Sequence, residues 1–161
     1  KMLQAYNKQY GFKGLALMPC NLYGPNDNYH PENSHVIPAL IRKFYGTKKN
    51  SVTCWGDGTP MREFMYVDDL ADAAIFAMNK YENAELINVG SGEDVSIKIL
   101  AEMIAEITGF QGDILWDESK PNGTPKRPLD YSKISLLGWK PKYKLKEGLK
   151  KTIKDFKKEL I

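Results

Sequence analysis

Residues 14–23 read Gly14-Leu15-Ala16-Leu17-Met18-Pro19-Cys20-Asn21-Leu22-Tyr23. The part up to Cys20 is a short, nearly continuous apolar run. A strand of a parallel sheet needs such a run, because helices cover both of its faces. Upstream, Lys1 to Tyr10 carries Met2, Leu3, Ala5 and Tyr6 on an apolar side and reads as the tail of a helix. Gly11 is placed as its C-cap. Downstream, residues 21–33 are crowded with Asn, Pro, Gly and Asp and read as a loop. Helix, buried strand and polar loop in that order point to an α/β chain.

The same alternation continues. Ser34 is expected to cap a helix over residues 35–45, with Pro38 in its first turn, where proline is tolerated. Strands are predicted over 52–55 and 64–67, split by a turn at 56–60. Asp68 or Asp69 is expected to cap the next helix, whose Leu70, Ala73, Ala74, Ala77 and Met78 follow helical spacing. A strand follows at 86–89. Ser96 then caps a helix bearing Ile97, Leu100, Ala101, Ile104 and Ile107, and a strand follows at 114–116. Residues 118–128 form a second polar loop. A last helix spans about 145–160, with Leu149, Ile153, Phe156 and Leu160 on one face. Strands separated by helices define α/β architecture. Loops as long as 21–33 and 118–128 usually carry function in a compact domain.

Composition narrows the class. With 161 residues the chain suits one compact unit with a real core. A formal charge of +3 is too small to imply a nucleic-acid partner. No apolar run approaches the length of a membrane span, and no signal-peptide pattern opens the chain. The two cysteines, Cys20 and Cys54, are far apart and form no C-x-x-C pair. That argues against a disulfide framework or a thiolate metal site and fits a reducing cytosol. The first residue is Lys1, and the motifs below make a fragment of a longer protein the expected reading.

Those motifs are Asn33-Ser34-His35-Val36-Ile37-Pro38-Ala39-Leu40, then Arg62-Glu63-Phe64 leading to Val67-Asp68-Asp69, then Ile87-Asn88-Val89-Gly90, and Lys120-Pro121-Asn122-Gly123-Thr124-Pro125-Lys126-Arg127. On these residues the chain resembles the extended short-chain dehydrogenase/reductase family. The second and third motifs are similar to many sugar-nucleotide epimerases and dehydratases. The first and last resemble its GDP-L-fucose synthase branch. The likeness runs from residue 1 to about residue 150.

The resemblance implies an α/β fold: the C-terminal part of an NAD(P)-binding Rossmann-type domain together with a smaller α/β substrate-binding domain. Residues 1–33 would be the tail of the first. Residues 34–161 would mainly form the second, with 62–90 partly returning to the Rossmann sheet. The cofactor-binding half, with its glycine motif, catalytic Ser and Cys and Tyr-x-x-x-Lys pair, would precede Lys1. For the intact, cytoplasmic and homodimeric protein it implies conversion of GDP-4-dehydro-6-deoxy-D-mannose to GDP-L-fucose, by 3,5-epimerisation and 4-reduction with NADP(H). The isolated chain would be inactive. Two rival readings stand beside it: an enzyme of the same fold acting on a UDP- or dTDP-sugar, and a non-catalytic nucleotide-sugar-binding remnant.

Residue by residue, the resemblance makes His35 the acid of the epimerisation, since imidazole titrates in the range such proton transfers need. Taken alone, a single histidine early in a helix reads as a surface residue. The surrounding motif gives it the role. Pro19, Cys20, Asn21, Leu22 and His35 would meet the nicotinamide end of the cofactor, and Asn21 would also face the sugar. Arg62 would grip the pyrophosphate, whose oxygens match a guanidinium fork. Lys43, Lys126 and Arg127 would add positive charge, and Asp117 would join the substrate set. At Lys43 the family has a basic residue, and lysine keeps the charge without the fork. Trp55 reads equally as a ring against the guanine or sugar and as a core aromatic ending a strand. His30, Cys54 and the lysine-rich face of the last helix read as structural or solvated.

Overall fold

The computed structural model describes residues 1–159. In chain order the elements are α1 (Met2–Tyr10), β1 (Ala16–Pro19), β2 (Asn21–Tyr23), α2 (Val36–Phe44), β3 (Ser51–Trp55), β4 (Met61–Tyr66), α3 (Val67–Lys80), β5 (Leu86–Val89), β6 (Asp94–Ser96), α4 (Ile97–Thr108), β7 (Asp113–Asp117), α5 (Ser132–Leu136) and α6 (Leu145–Glu159). Three small sheets result. β1 pairs in parallel with β5, and β3 in parallel with β7. β4 is the centre of the third, parallel to β2 and antiparallel to β6.

Helical spacing builds the larger of two apolar clusters. Ile37, Leu40, Ile41 and Phe44 lie at i, i+3, i+4 and i+7 on α2 and are all buried. They meet Leu100 and Ile104 of α4 and Leu149, Ile153 and Phe156 of α6 over β3 and β4. Each such side chain contributes about 2 kcal/mol when fully buried. The second cluster joins Ile87 and Val89 of β5 to Ala73 and Ala77 of α3, with Ile134 and Trp139. The cluster containing α2, β3, β4, α4 and α6 supports one wall of the site, and the cluster under β1 and β5 supports the other.

Local end signals behave as read. Gly11 and Gly109 close α1 and α4 in the left-handed conformation, and the Ser96 hydroxyl accepts from Ile99 N–H at 3.1 Å. The departures are instructive. His35, and not Ser34, is the N-cap of α2, without a side-chain bond. Tyr66 is the N-cap of α3, and neither Asp68 nor Asp69 caps it. Both acids sit in the first turn, where the helix dipole favours them. The Asp69 carboxylate instead accepts from the N–H groups of Lys142 and Tyr143 at 2.9 and 3.1 Å. The stretch read as one loop from residue 21 begins with β2. Two further short elements, β6 and α5, carry too little periodicity to read. β1 is parallel as expected but only half-buried, with Met18 exposed. Leu160, expected on the apolar stripe of α6, lies outside the described residues.

Candidate functional site

A cavity of about 520 Å³ opens where β1 hands over to β2, with Cys20, Asn21, Tyr23, Asp27, His35 and Phe64 among its lining. Two sequence features make it. The parallel strands end here, so their loops diverge and leave a crevice. The extended residue before α2, His35 with φ −70° and ψ 171°, then turns the chain back across the opening. Its backbone carbonyl starts the helix by accepting from Ala39 N–H at 3.0 Å, while the residue itself stays exposed. Leu22, Val36, Ile37 and Pro38 give the cavity an apolar side.

Asn21 is fixed at the rim. It lies opposite Phe64 in the β2–β4 register, and its side-chain amide donates to the Glu63 carbonyl at 2.8 Å. Burial pushes the Cys20 thiol up to about 12 from 9.0, and the nearby Glu63 charge pushes it the same way. Cys20 is therefore a protonated, weakly reactive thiol at neutral pH. Pro19 ends β1 just outside the lining.

A second group lies at the end of β3 and β7. Trp55 is 68% exposed, which removes the reading of it as a core aromatic. It stands opposite Asp117 in register, and Lys120 Nζ lies 5.9 Å from its ring centroid. Asp117 accepts from the Ser119 hydroxyl at 2.5 Å and from its N–H at 3.1 Å. The hydroxyl bond is the main cause holding this carboxyl below its ordinary value. Loop 118–128 is tied down beside them. Asn122 Oδ1 accepts from Asp57 N–H at 2.8 Å, and Pro125 C=O accepts from Met61 N–H at 2.8 Å. Arg62 donates to the Met61 carbonyl at 2.7 Å, and its guanidinium sits beside Gly123 of the same loop. Lys126 pairs with Asp94 at 2.7 Å, and Arg127 is exposed.

The structure thus gathers Cys20, Asn21, Leu22 and His35 at the cavity, and Trp55, Asp117, Arg62 and Lys126 around the second loop. Lys43 joins neither group: its ammonium donates to the Thr53 carbonyl at 2.9 Å. Tyr23, Asp27 and Phe64 line the cavity without having been singled out. The first two stand in the loop whose length marked it as functional, and nothing local separates them from their neighbours.

Residues 1–90 match the NAD dependent epimerase/dehydratase family. The chain belongs to that family. Its α/β architecture is that of the NAD(P)-binding extended short-chain dehydrogenase/reductase fold. A protein of Oryza sativa subsp. japonica, named as a probable GDP-L-fucose synthase 1, is 56% identical across 100% of this chain and 50% of its own length. The GDP-L-fucose synthase of Escherichia coli (strain K12) is 46% identical across 97% of this chain and 52% of its own. A crystal structure of a GDP-L-fucose synthetase from Naegleria fowleri bound to NADP superposes with a TM-score of 0.89 at 29% identity, over 99% of this chain and 53% of that one. The chain spans about half the length of the curated relatives it matches. The family match covers the cavity residues and Arg62, while Asp117 and Lys126 lie beyond it.

Proposed function

We propose that this chain is the GDP-sugar-binding, C-terminal part of a protein that converts GDP-4-dehydro-6-deoxy-D-mannose to GDP-L-fucose with NADPH. The observation that carries the reading is the run of polar groups from the cavity through β4 to the loop at 118–128. Phe64 faces Asn21 at the cavity. Arg62 lies two residues back, about 7 Å along a strand. Trp55 and Asp117 end β3 and β7 in another sheet, joined to Arg62 through loop 118–128, whose Asn122 accepts from Asp57 N–H and whose Gly123 lies beside the guanidinium. Sugar, pyrophosphate and base of a nucleotide sugar follow one another in that order.

In this reading the sugar ring enters the cavity and His35 returns protons to the carbons being inverted. His35 is exposed at the cavity rim, so solvent reaches its ring between the two inversions. Cys20, half-buried and with its thiol raised by burial and the Glu63 charge, is poorly suited to be the partner base. Arg62 holds the pyrophosphate, Lys126 and Arg127 add positive charge, and Trp55 and Asp117 meet the base. Lys43 contributes charge at a distance, through its place on α2. NADPH, when bound, supplies the hydride that reduces the 4-keto group. The apolar side of the cavity fits a nicotinamide ring, and Pro19 to Leu22 with His35 would hold that end. Residues 1–33 then belong to the cofactor-binding domain and residues 34–161 mainly to the substrate domain, with 62–90 shared. A cytoplasmic homodimer completes the proposal. The two free cysteines suit a reducing compartment, and the exposed Met2, Tyr6 and Tyr10 of α1 suit a covered helix face.

Titration of the chain with GDP and UDP tests the base. GDP should bind about tenfold tighter, one well-placed polar contact's worth. Equal affinities favour the UDP-sugar reading, and no binding of either leaves a structural role. Full-length protein that fails to oxidise NADPH with the keto sugar sinks the enzymatic claim.

A further inference from the structure

Glu63, between Arg62 and Phe64 on β4, takes no part in the proposed binding of the sugar nucleotide or the cofactor. It is 6% exposed, on a strand whose next residues, Phe64 and Met65, are apolar and buried. Its Oε1 accepts from Gly92 N–H at 2.7 Å and faces the Ser91 hydroxyl at 3.4 Å. No ion pair among the described residues involves it. A buried carboxylate held by so few donors is a poor choice for stability alone. Breaks of this kind in an otherwise consistent pattern concentrate at functional sites.

Its surroundings indicate what it holds. The turn at 90–92 carries the chain from β5, in one sheet, to β6, in another. At Gly90 an added Cβ would press on Oε1 and approach Cδ to 3.1 Å, so the turn is shaped around this carboxylate. Just before this turn, Cys20 N–H donates to the Val89 carbonyl at 2.9 Å. On its backbone side, the Glu63 carbonyl takes the Asn21 amide at 2.8 Å. One residue therefore grips the turn with its side chain and the cavity rim with its main chain.

We propose that Glu63 is a positioning residue that locks the Gly90–Gly92 turn to β4 and so fixes Cys20 and Asn21 at the cavity rim. The inference rests on the function proposed above. The carboxylate touches no substrate and acts through Asn21 and the turn. Loss of the anchor shifts the rim, and misplacement of about 1 Å costs on the order of 100-fold in rate.

The test uses the full-length protein with NADPH and GDP-4-dehydro-6-deoxy-D-mannose, together with iodoacetamide labelling of Cys20. Glu63→Ala should lower kcat by about 100-fold with KM within about threefold, and should speed Cys20 labelling about tenfold. Glu63→Gln keeps an acceptor for Gly92 N–H and should retain kcat within about fivefold, because a neutral acceptor weakens this bond without removing it. Gly90→Ala pushes the carboxylate away from the other side and should reproduce the Glu63→Ala pattern, which keeps the proposal open to refutation even where Glu63→Ala does not fold. Folded variants with unchanged kcat and unchanged labelling overturn the proposal. So does a kcat loss in Glu63→Gln equal to that in Glu63→Ala, or a parallel fall of GDP affinity and melting temperature. The labelling needs no turnover. A wild-type protein that does not consume NADPH therefore sinks the proposed function, while labelling still decides whether Glu63 anchors the turn.

Discussion

His35 combines two positions, the N-cap of α2 and the rim of the cavity. Replacing it by glutamine keeps the polarity and removes the titrating ring. In the full-length protein His35→Gln should slow solvent proton exchange at C3 and C5 of the sugar by about 100-fold, the usual contribution of a positioned acid. GDP affinity should stay within about twofold of wild type; an equal loss of both would make His35 a binding residue. Cys20 allows a sharper statement. With its thiol pushed to about 12, first by burial and then by the Glu63 charge, Cys20 stays almost wholly protonated at neutral pH. Iodoacetamide should leave native Cys20 unmodified over a time that consumes a free cysteine, and should label it once denaturant is added. Rapid native labelling, read by mass spectrometry, would show that the half-buried thiol is not held in its protonated form. The sequence named both residues, and for His35 the neighbouring motif carried the information. For Cys20 it could supply the position at a strand end but not the surroundings, in which Val89 and the Glu63 charge arrive from far along the chain.

At the scale of elements, the start of α3 binds the segment before α6. Asp69 is 1% exposed and accepts two backbone N–H groups, while Asp72 accepts from Trp139 Nε1 at 3.0 Å and from Lys142 Nζ at 2.6 Å. Asp69→Ala leaves two part-buried donors without their acceptor and should destabilise the chain by about 2 kcal/mol. Asp69→Asn keeps one acceptor oxygen and should cost about half as much. Urea unfolding checks both, and a midpoint unchanged by Asp69→Ala would mean that solvent satisfies those groups. The acids at the helix start were legible as a pair. Their target was not, because Lys142 is 73 residues away and no local pattern links the two. β6 and α5 escaped notice for a related reason: three and five residues are too few to show a period, and their conformation is imposed by β4 and β5.

For the molecule as a whole, the titrating groups bound a window of stability. Hydrogen bonds from Lys142, Lys133 and Lys146 hold the Asp72, Glu85 and Glu106 carboxyls below their ordinary 3.8 and 4.5. Their contribution is present above those values and is lost as pH falls through the lower folded ones. Burial raises Cys20, Cys54, Tyr23 and Tyr66 above their ordinary 9.0 and 10.0. Here the folded state keeps its protons longer, so stability is full below pH about 9 and declines as pH rises beyond it. Melting temperature should be flat between pH about 5 and 9 and fall on both sides; a maximum above pH 10 would contradict the buried thiol and phenols. The sequence by itself determined the α/β class, the helix stops at Gly11 and Gly109, the Ser96 cap and the family likeness. The first three rest on periodicity or on contacts within one turn of chain, and the likeness on the resemblance of four short motifs. The tertiary structure alone decided that Trp55 faces solvent, that Lys43 turns to Thr53 and that Asp69 clamps Lys142 and Tyr143. It also placed Glu63 between the rim and the glycine turn. Those outcomes depend on which distant segments meet, and that is set by how the sheets and helices pack rather than by any short run of residues.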